Sequence, residues 1–353
     1  MQPPRFSSKN TPMIPTMIDL ARFLERAAFH LPFSHTWIAE RDALRTENNR
    51  MRAVNERQVR ELEDARRELK AAKDHLAALW QPPGHFYSPI PDVAELQATW
   101  AMAFRFPESI LDVDINVAGQ LELLNQFRDW YAEQPFTAEK VAGRRFYFNN
   151  ENFSYTDAIV LYFMMRRLRP RRIVEVGSGF SSCAMMDVND LLFDGKIEFT
   201  FVEPYPDRLL RLINDRDRTR VCTEKVQDVD LQLFRDLGPN DILFIDSSHV
   251  SKTGSDLNHL LFKVLPLLSD GVQIHFHDIF WPFEYPEAWV FEGRAWNEVY
   301  LLHALLAHNR NYQVQLFNSY LIHNYRKRIE AEFPLFLKSP GGSIWIQKTE
   351  AGA

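Results

Sequence analysis

Cysteine is scarce in this chain: 353 residues hold two, Cys183 and Cys222. A disulfide framework needs several pairs, so the count argues for a reducing compartment, the cytoplasm. Long apolar runs are also missing. The longest, Ala158 to Met165, has eight residues, against about 20 for a membrane-spanning helix. The opening MQPPRFSSKNTPMIPTMIDL lacks the apolar core of a secretory signal. Neither sign of charge dominates, since 41 Lys and Arg stand against 47 Asp and Glu for a net −6 with neutral histidines. A dedicated nucleic-acid binder would carry a basic excess or stripe, so nucleic acid is not an expected partner. What is present in quantity is apolar matter, 46% of the chain, enough for a large core and too much for a disordered protein.

Length predicts two to three units at about 150 residues each. Prolines at 3, 4, 12, 15 and 32 mark 1–36 as a loosely ordered leader with one short helix near Asp19–Phe29. Between Pro32 and Pro82 neither proline nor glycine occurs for 49 residues, which predicts an uninterrupted helix. Its heptads read as a coiled coil over 37–80. Leu44, Met51, Gln58, Ala65, Ala72 and Leu79 take position d, and Asn48, Asn55, Leu62, Leu69 and Leu76 take position a. Glu47, Glu61 and Glu68 at g then face Arg52, Arg66 and Lys73 at e, which suits a parallel homodimer. The weak Gln58 and the alanines leave a second arrangement open, a single amphipathic helix laid along the following domain. QPPGHFYSPIP at 81–91 reads as a hinge, and 81–150 as that hinge plus a helical connector or cover.

Residues 151–353 have a different texture. Short β-branched runs at 171–177, 198–204, 219–225, 241–247, 271–280, 312–318 and 343–348 alternate with helical segments. Such alternation predicts an α/β fold with a doubly wound, Rossmann-like sheet of seven strands. The first run ends in Glu175-Val-Gly-Ser-Gly, where Gly177, Ser178 and Gly179 turn tightly into a helix whose free amides suit an anionic group. Glu203 ends the second run 24 residues after Gly179, the place of a carboxylate that accepts ribose hydroxyls. A nicotinamide dinucleotide and S-adenosylmethionine both fit that pattern. An acid two residues before the first glycine suits an ammonium group better than a pyrophosphate, which favours S-adenosylmethionine.

At this point the chain resembles a known family. FSYTDAIVLYFMMR, IVEVGSGFSSCAMM, FVEPYPDRLL, ILFIDSSHVSKTGSDLNHLLFKVLPLL, GVQIHFHDIFWPFEYPEAWV, GRAWNEVYLL and PGGSIWIQK look like the class I S-adenosylmethionine-dependent methyltransferases. Within that family the chain is similar to the bacterial branch acting on glycans and sugars, akin to macrolide-sugar and rhamnosyl O-methyltransferases. The resemblance covers about two thirds of the chain and implies a mostly parallel sheet with an antiparallel last strand. It also implies that Glu175, Gly177 and Gly179, with Ser178 between them, line the methionine part of the cofactor, that Glu203 holds the ribose, and that Asp228 lies on the adenine side.

Four of the eleven histidines, His249, His259, His275 and His277, fall within 29 residues, where random placement gives about one. Asp246 ends the fourth run, His249 follows it, and His277 and Asp278 end the fifth. In a parallel sheet those ends open on one crevice, so the acids can converge on a divalent cation, Mg or Mn. A cation lowers the pKa of a bound hydroxyl, and a neutral histidine can then take its proton. The resemblance implies the same arrangement, with Asp246, His277 and Asp278 as metal ligands and His249 as general base. His277 stands where the metal-binding relatives often carry an acid. His275, deeper in its strand, and His259, on the next helix, are expected to be structural. WPFEYPEAWVFEGRAWNE follows, and Trp281, with Glu284 and Arg294, is the expected contact to a sugar-containing small molecule or glycan acceptor. Two further classes stay open: a non-catalytic cofactor-binding scaffold, and a metal-dependent oxygenase on the same fold.

Overall fold

The computed structural model describes residues 34–77, 79–103, 106–107, 109–213, 217 and 219–350. The expected leader falls outside the described residues apart from 34–36, and the short helix expected near Asp19–Phe29 lies wholly outside them. The chain divides into two compact units, 1–82 and 83–353.

Among the described residues of the first unit one helix, α1 (Ser34–Ala77), runs for 44 residues. At 1.5 Å per residue it is about 66 Å long. Its length follows from the proline- and glycine-free interval, since nothing in the backbone interrupts the hydrogen-bond ladder. Leu44, Met51, Leu62, Leu69 and Leu76 of the heptad stripe are each more than half exposed, from 51% to 72%.

The second unit begins with α2 (Val93–Ala103), α3 (Val117–Trp130) and α4 (Tyr155–Leu168). Then β1 (Arg172–Val176), α5 (Phe180–Leu192), β2 (Glu198–Val202), α6 (Asp207–Leu212), β3 (Thr219–Cys222), β4 (Ile242–Ile245), β5 (Gln273–His277), α7 (Glu298–Leu306), β6 (Tyr312–Phe317) and β7 (Ser343–Lys348) follow, with short helical turns between them. The sheet order is β3-β2-β1-β4-β5-β7-β6. The first five strands are parallel, and β7 runs antiparallel to both β5 and β6. All seven expected runs are strands, trimmed at their ends. Their unbroken apolar character has a cause: β4 and β5 are buried along their whole length, as central parallel strands covered on both faces must be.

The connector joins this same core. Gln120 of α3 is fully buried, accepts the Phe317 N–H at 2.8 Å and donates to the Ile115 carbonyl at 2.6 Å, which locks α3 to β6. At the start of α4, Asp157 accepts from Ser343 Oγ at 2.7 Å and Asn318 Nδ2 at 2.9 Å, tying that helix to β7. The chain leaves β1 toward β2 and β3 on one side and returns to β4 on the other, so the reversal point lies between β1 and β4. Ligands of open α/β sheets bind beyond the carboxyl ends of the strands at such a reversal.

Candidate functional site

Gly177 leaves β1 with φ +82°, a backbone region that favours glycine. A Cβ there would lie 1.9 Å from the carbonyl oxygen of Asp246, so the missing side chain lets the ends of β1 and β4 close together. Above Gly179 the surface is open, and a Cβ would meet nothing nearer than Arg208 Cδ at 3.7 Å. Glu203 stands beside this turn. Its Oε2 accepts the Ser178 N–H at 3.0 Å and its Oε1 the Tyr205 N–H at 2.8 Å. Asp228, in the turn Val226–Asp228 after β3, is exposed. An open glycine turn, a carboxylate at the end of β2 and a surplus of acids at the strand ends together fit a nucleoside cofactor with a cationic tail.

Glu175 is fully buried, and both its oxygens are taken, Oε1 by Ser181 Oγ and Oε2 by Ser182 Oγ, each at 2.5 Å. Burial pushes its carboxyl up to about 8. Through these two hydroxyls the Glu175 carboxyl anchors the start of α5.

On the other side of the reversal, ligand atoms of Asp246, His249 and Asp278 lie within 4.8 Å of one another. His249 Nε2 is 3.4 Å from Asp246 Oδ1 and 3.7 Å from Asp278 Oδ2. Both His249 (φ +58°) and Asp278 (φ +56°) stand in left-handed backbone, which costs a non-glycine residue about 1–3 kcal/mol and gathers at functional sites. Two carboxylates and one imidazole are a suitable donor set for Mg, Mn, Fe or Zn, so the residues fit a divalent cation. Charge in the cluster is mutually supported. Burial disfavours the His249 cation, yet Asp246 and Glu298 raise its pKa to about 10. Burial likewise opposes ionisation of Asp246, but His277 and His249 hold it below the usual carboxylate range. For Asp278 burial prevails and the pKa rises.

His277 does not belong to this three-atom cluster. It is buried, with Nε2 3.6 Å from Asp278 Oδ1 and its ring 5.4 Å from that of Phe153. The position expected to be a ligand thus lies behind Asp278, and the position expected to be only a base lies among the acids. His275 is core, stacked 3.8 Å from the Phe244 ring, and burial holds it well below its ordinary pKa.

In the segment after β5, the residues expected to meet an acceptor have partners within the protein. Trp281 is 2% exposed, packs edge-on against Phe317 and Tyr320, and donates its indole N–H to the Pro107 carbonyl at 3.1 Å. Adjacency in sequence to Asp278 does not make it a wall of the crevice. Glu284 and Arg294 are occupied as well: Glu284 accepts from Tyr300 Oη at 2.5 Å, and Arg294 pairs with Glu292 at 2.9 Å. Arg294 also stacks 4.0 Å from the Trp289 ring and 5.1 Å from Trp296. Trp296, half-buried, is the aromatic that reaches the cluster, with its ring 4.3 Å from the His249 imidazole.

Sequence reasoning missed one residue altogether. Glu298, 1% exposed, places Oε2 2.7 Å from His249 Nδ1. It lies 49 residues away inside the segment GRAWNEVYLL, and no spacing pairs it with His249.

A family profile described as a methyltransferase domain matches residues 174–279, from β1 through the Asp278 turn. An uncharacterized protein of Archaeoglobus fulgidus is 39% identical over 181 residues, covering 49% of this chain and 81% of its own. Among solved structures, the Podospora anserina methyltransferase PaMTH1, bound to S-adenosylhomocysteine, is 17% identical with a TM-score of 0.38, over 69% of this chain and 99% of its own. The O-methyltransferase TomG of Streptomyces achromogenes, bound to S-adenosylmethionine, is 14% identical with a TM-score of 0.35, over 71% and 95%. At those scores the two structures add nothing to the profile match and the sheet order.

Proposed function

From the methyltransferase-domain match over 174–279 and the sheet order, we propose that this chain is a class I S-adenosylmethionine-dependent methyltransferase that moves the methyl group of that cofactor onto a hydroxyl of a glycan or other sugar-containing acceptor. The observation that carries this reading is the meeting of Asp246, His249 and Asp278 within 4.8 Å at the reversal point, beside the glycine turn. A sugar hydroxyl is a weak acid, so a base at the crevice has work to do there. S-adenosylmethionine would supply an electrophilic methyl on sulfonium, and Asp246 and Asp278 would hold a divalent cation, which would supply charge to acidify a hydroxyl.

The chain's own residues do the rest. Glu203, at the end of β2, would accept the ribose hydroxyls. Gly177, by lacking a side chain, keeps the cofactor turn and Asp246 in contact. In its neutral form His249 takes the acceptor proton at Nε2, the nitrogen that faces both acids. Trp296 lies against that imidazole and gives a flat apolar face suited to a sugar ring. It replaces Trp281 in this role.

The heptad stripe of α1 supports a parallel homodimer through that helix. No helix among the described residues is long and apolar enough to cross a membrane. Cys183 and Cys222 are free and buried, which suits the cytoplasm.

The test is incubation with labelled S-adenosylmethionine and fractionated glycans of the source organism. Label in a glycan fraction with stoichiometric S-adenosylhomocysteine is the expected result. Turnover without S-adenosylhomocysteine would point to oxygenase chemistry, and cofactor binding without transfer to any fraction would point to a scaffold.

A further inference from the structure

The Glu298 and His249 pair is closer than the sequence or the methyl-transfer reading requires. We infer that Glu298 is a positioning residue that fixes the tautomer and direction of His249, so that Nε2 is presented to the reacting centre.

Three observations carry this. Glu298 is almost wholly buried, with Oε2 2.7 Å from His249 Nδ1, while Oε1 has no hydrogen-bond partner among the described residues. Burying a carboxylate with one oxygen unserved is costly unless a charged or strongly donating partner offsets it, and the imidazole is the partner in contact. Second, anchoring the loop after β4 does not need that carboxylate. The His249 carbonyl already accepts the N–H groups of Asn297 at 3.1 Å and Glu298 at 3.2 Å. Ser251 N–H donates to Asn297 Oδ1 at 2.6 Å, and Asn297 Nδ2 donates to the Ser251 carbonyl at 3.2 Å. Third, a carboxylate can only accept, so the proton between the two side chains belongs to Nδ1. In the neutral ring the lone pair then sits on Nε2, the atom 3.4 Å from Asp246 and 3.7 Å from Asp278. A buried acid behind an imidazole holds the ring orientation and strengthens its far nitrogen as a base or ligand.

The purpose of this device rests on the methyl-transfer reading, but its test does not. In protein carrying 15N-labelled histidine, long-range 1H–15N correlation is expected to place a proton on Nδ1 of His249 as a downfield resonance, assigned by its absence in His249→Gln. Glu298→Gln is expected to move that resonance upfield, with retained S-adenosylhomocysteine binding showing that the fold persists. A wild-type spectrum with the proton on Nε2 and a bare Nδ1 would overturn the assignment without any variant. So would a Glu298→Gln protein that keeps the resonance unchanged. Wild type that binds no S-adenosylhomocysteine would count against the methyl-transfer reading alone.

Discussion

The carbonyl oxygen of Asp246 occupies the space that a Cβ on Gly177 would need, at 1.9 Å from its ideal position. One backbone contact thereby joins the cofactor turn of β1 to the acid at the end of β4. Gly177→Ala is expected to cost about 3 kcal/mol or more, because positive φ and overpacking act together at this point. Urea denaturation measures the loss. A near-wild-type midpoint would mean that the two strand ends separate easily.

Glu175 makes stability depend on pH in a direction unusual for a carboxylate. Its folded-state pKa of about 8 lies above the model-compound 4.5, so the native state keeps a proton that the unfolded chain has given up. That contribution is complete below about pH 4.5 and is lost as pH rises through about 8. Stability is expected to fall over that window, and Glu175→Gln to flatten the fall. Parallel slopes in urea midpoints measured across the window would rule out Glu175 as the cause.

His249→Ala is expected to leave S-adenosylhomocysteine binding nearly intact while cutting methyl transfer about 100- to 10,000-fold, the range for loss of a general base. Isothermal titration and a single-turnover assay separate the two effects. Equal losses in both would show that His249 serves the cofactor site instead.

Chelation by EDTA is expected to suppress transfer and Mg2+ or Mn2+ to restore it, and Asp246→Asn and Asp278→Asn are each expected to abolish Mn2+ binding. Electron paramagnetic resonance of bound Mn2+ reads this without an acceptor. Full activity in EDTA would remove the cation from the mechanism.

Leu62→Asp with Leu69→Asp places two charges on the stripe of α1, where both leucines are more than half exposed. The double variant is expected to be monomeric at concentrations where the parent chain is a dimer, with unchanged cofactor binding. Light scattering coupled to size exclusion reports the mass, and a monomeric parent would refute the coiled-coil reading.

The fold was legible in the sequence because central parallel strands must be apolar on both faces, and ILFI at 242–245 and its neighbours are so without interruption. The glycine turn and the acids at the strand ends were legible for a related reason: topology alone brings such ends to one crevice. What was not legible depends on where side chains turn after the strand ends. Trp281 follows Asp278 by three residues, yet it is buried against Phe317 and Tyr320 and donates to the Pro107 carbonyl. His277 falls outside the cluster that Asp246, His249 and Asp278 form, and the left-handed backbone at Asp278 and His249 is announced by no residue type for a histidine. Glu298 was invisible because its partner is distant in sequence and the pair follows no period.

The segment 279–297 is held at both ends beside the Asp246, His249 and Asp278 cluster. It leaves β5 with the Ile279 N–H on the Gly342 carbonyl at 2.9 Å, and it returns with Asn297 and Glu298 on the His249 carbonyl. Its aromatic interior is therefore a cassette, whose Trp289, Arg294 and Trp296 are independent of the backbone clamps at 279 and 297–298 that keep His249 in register.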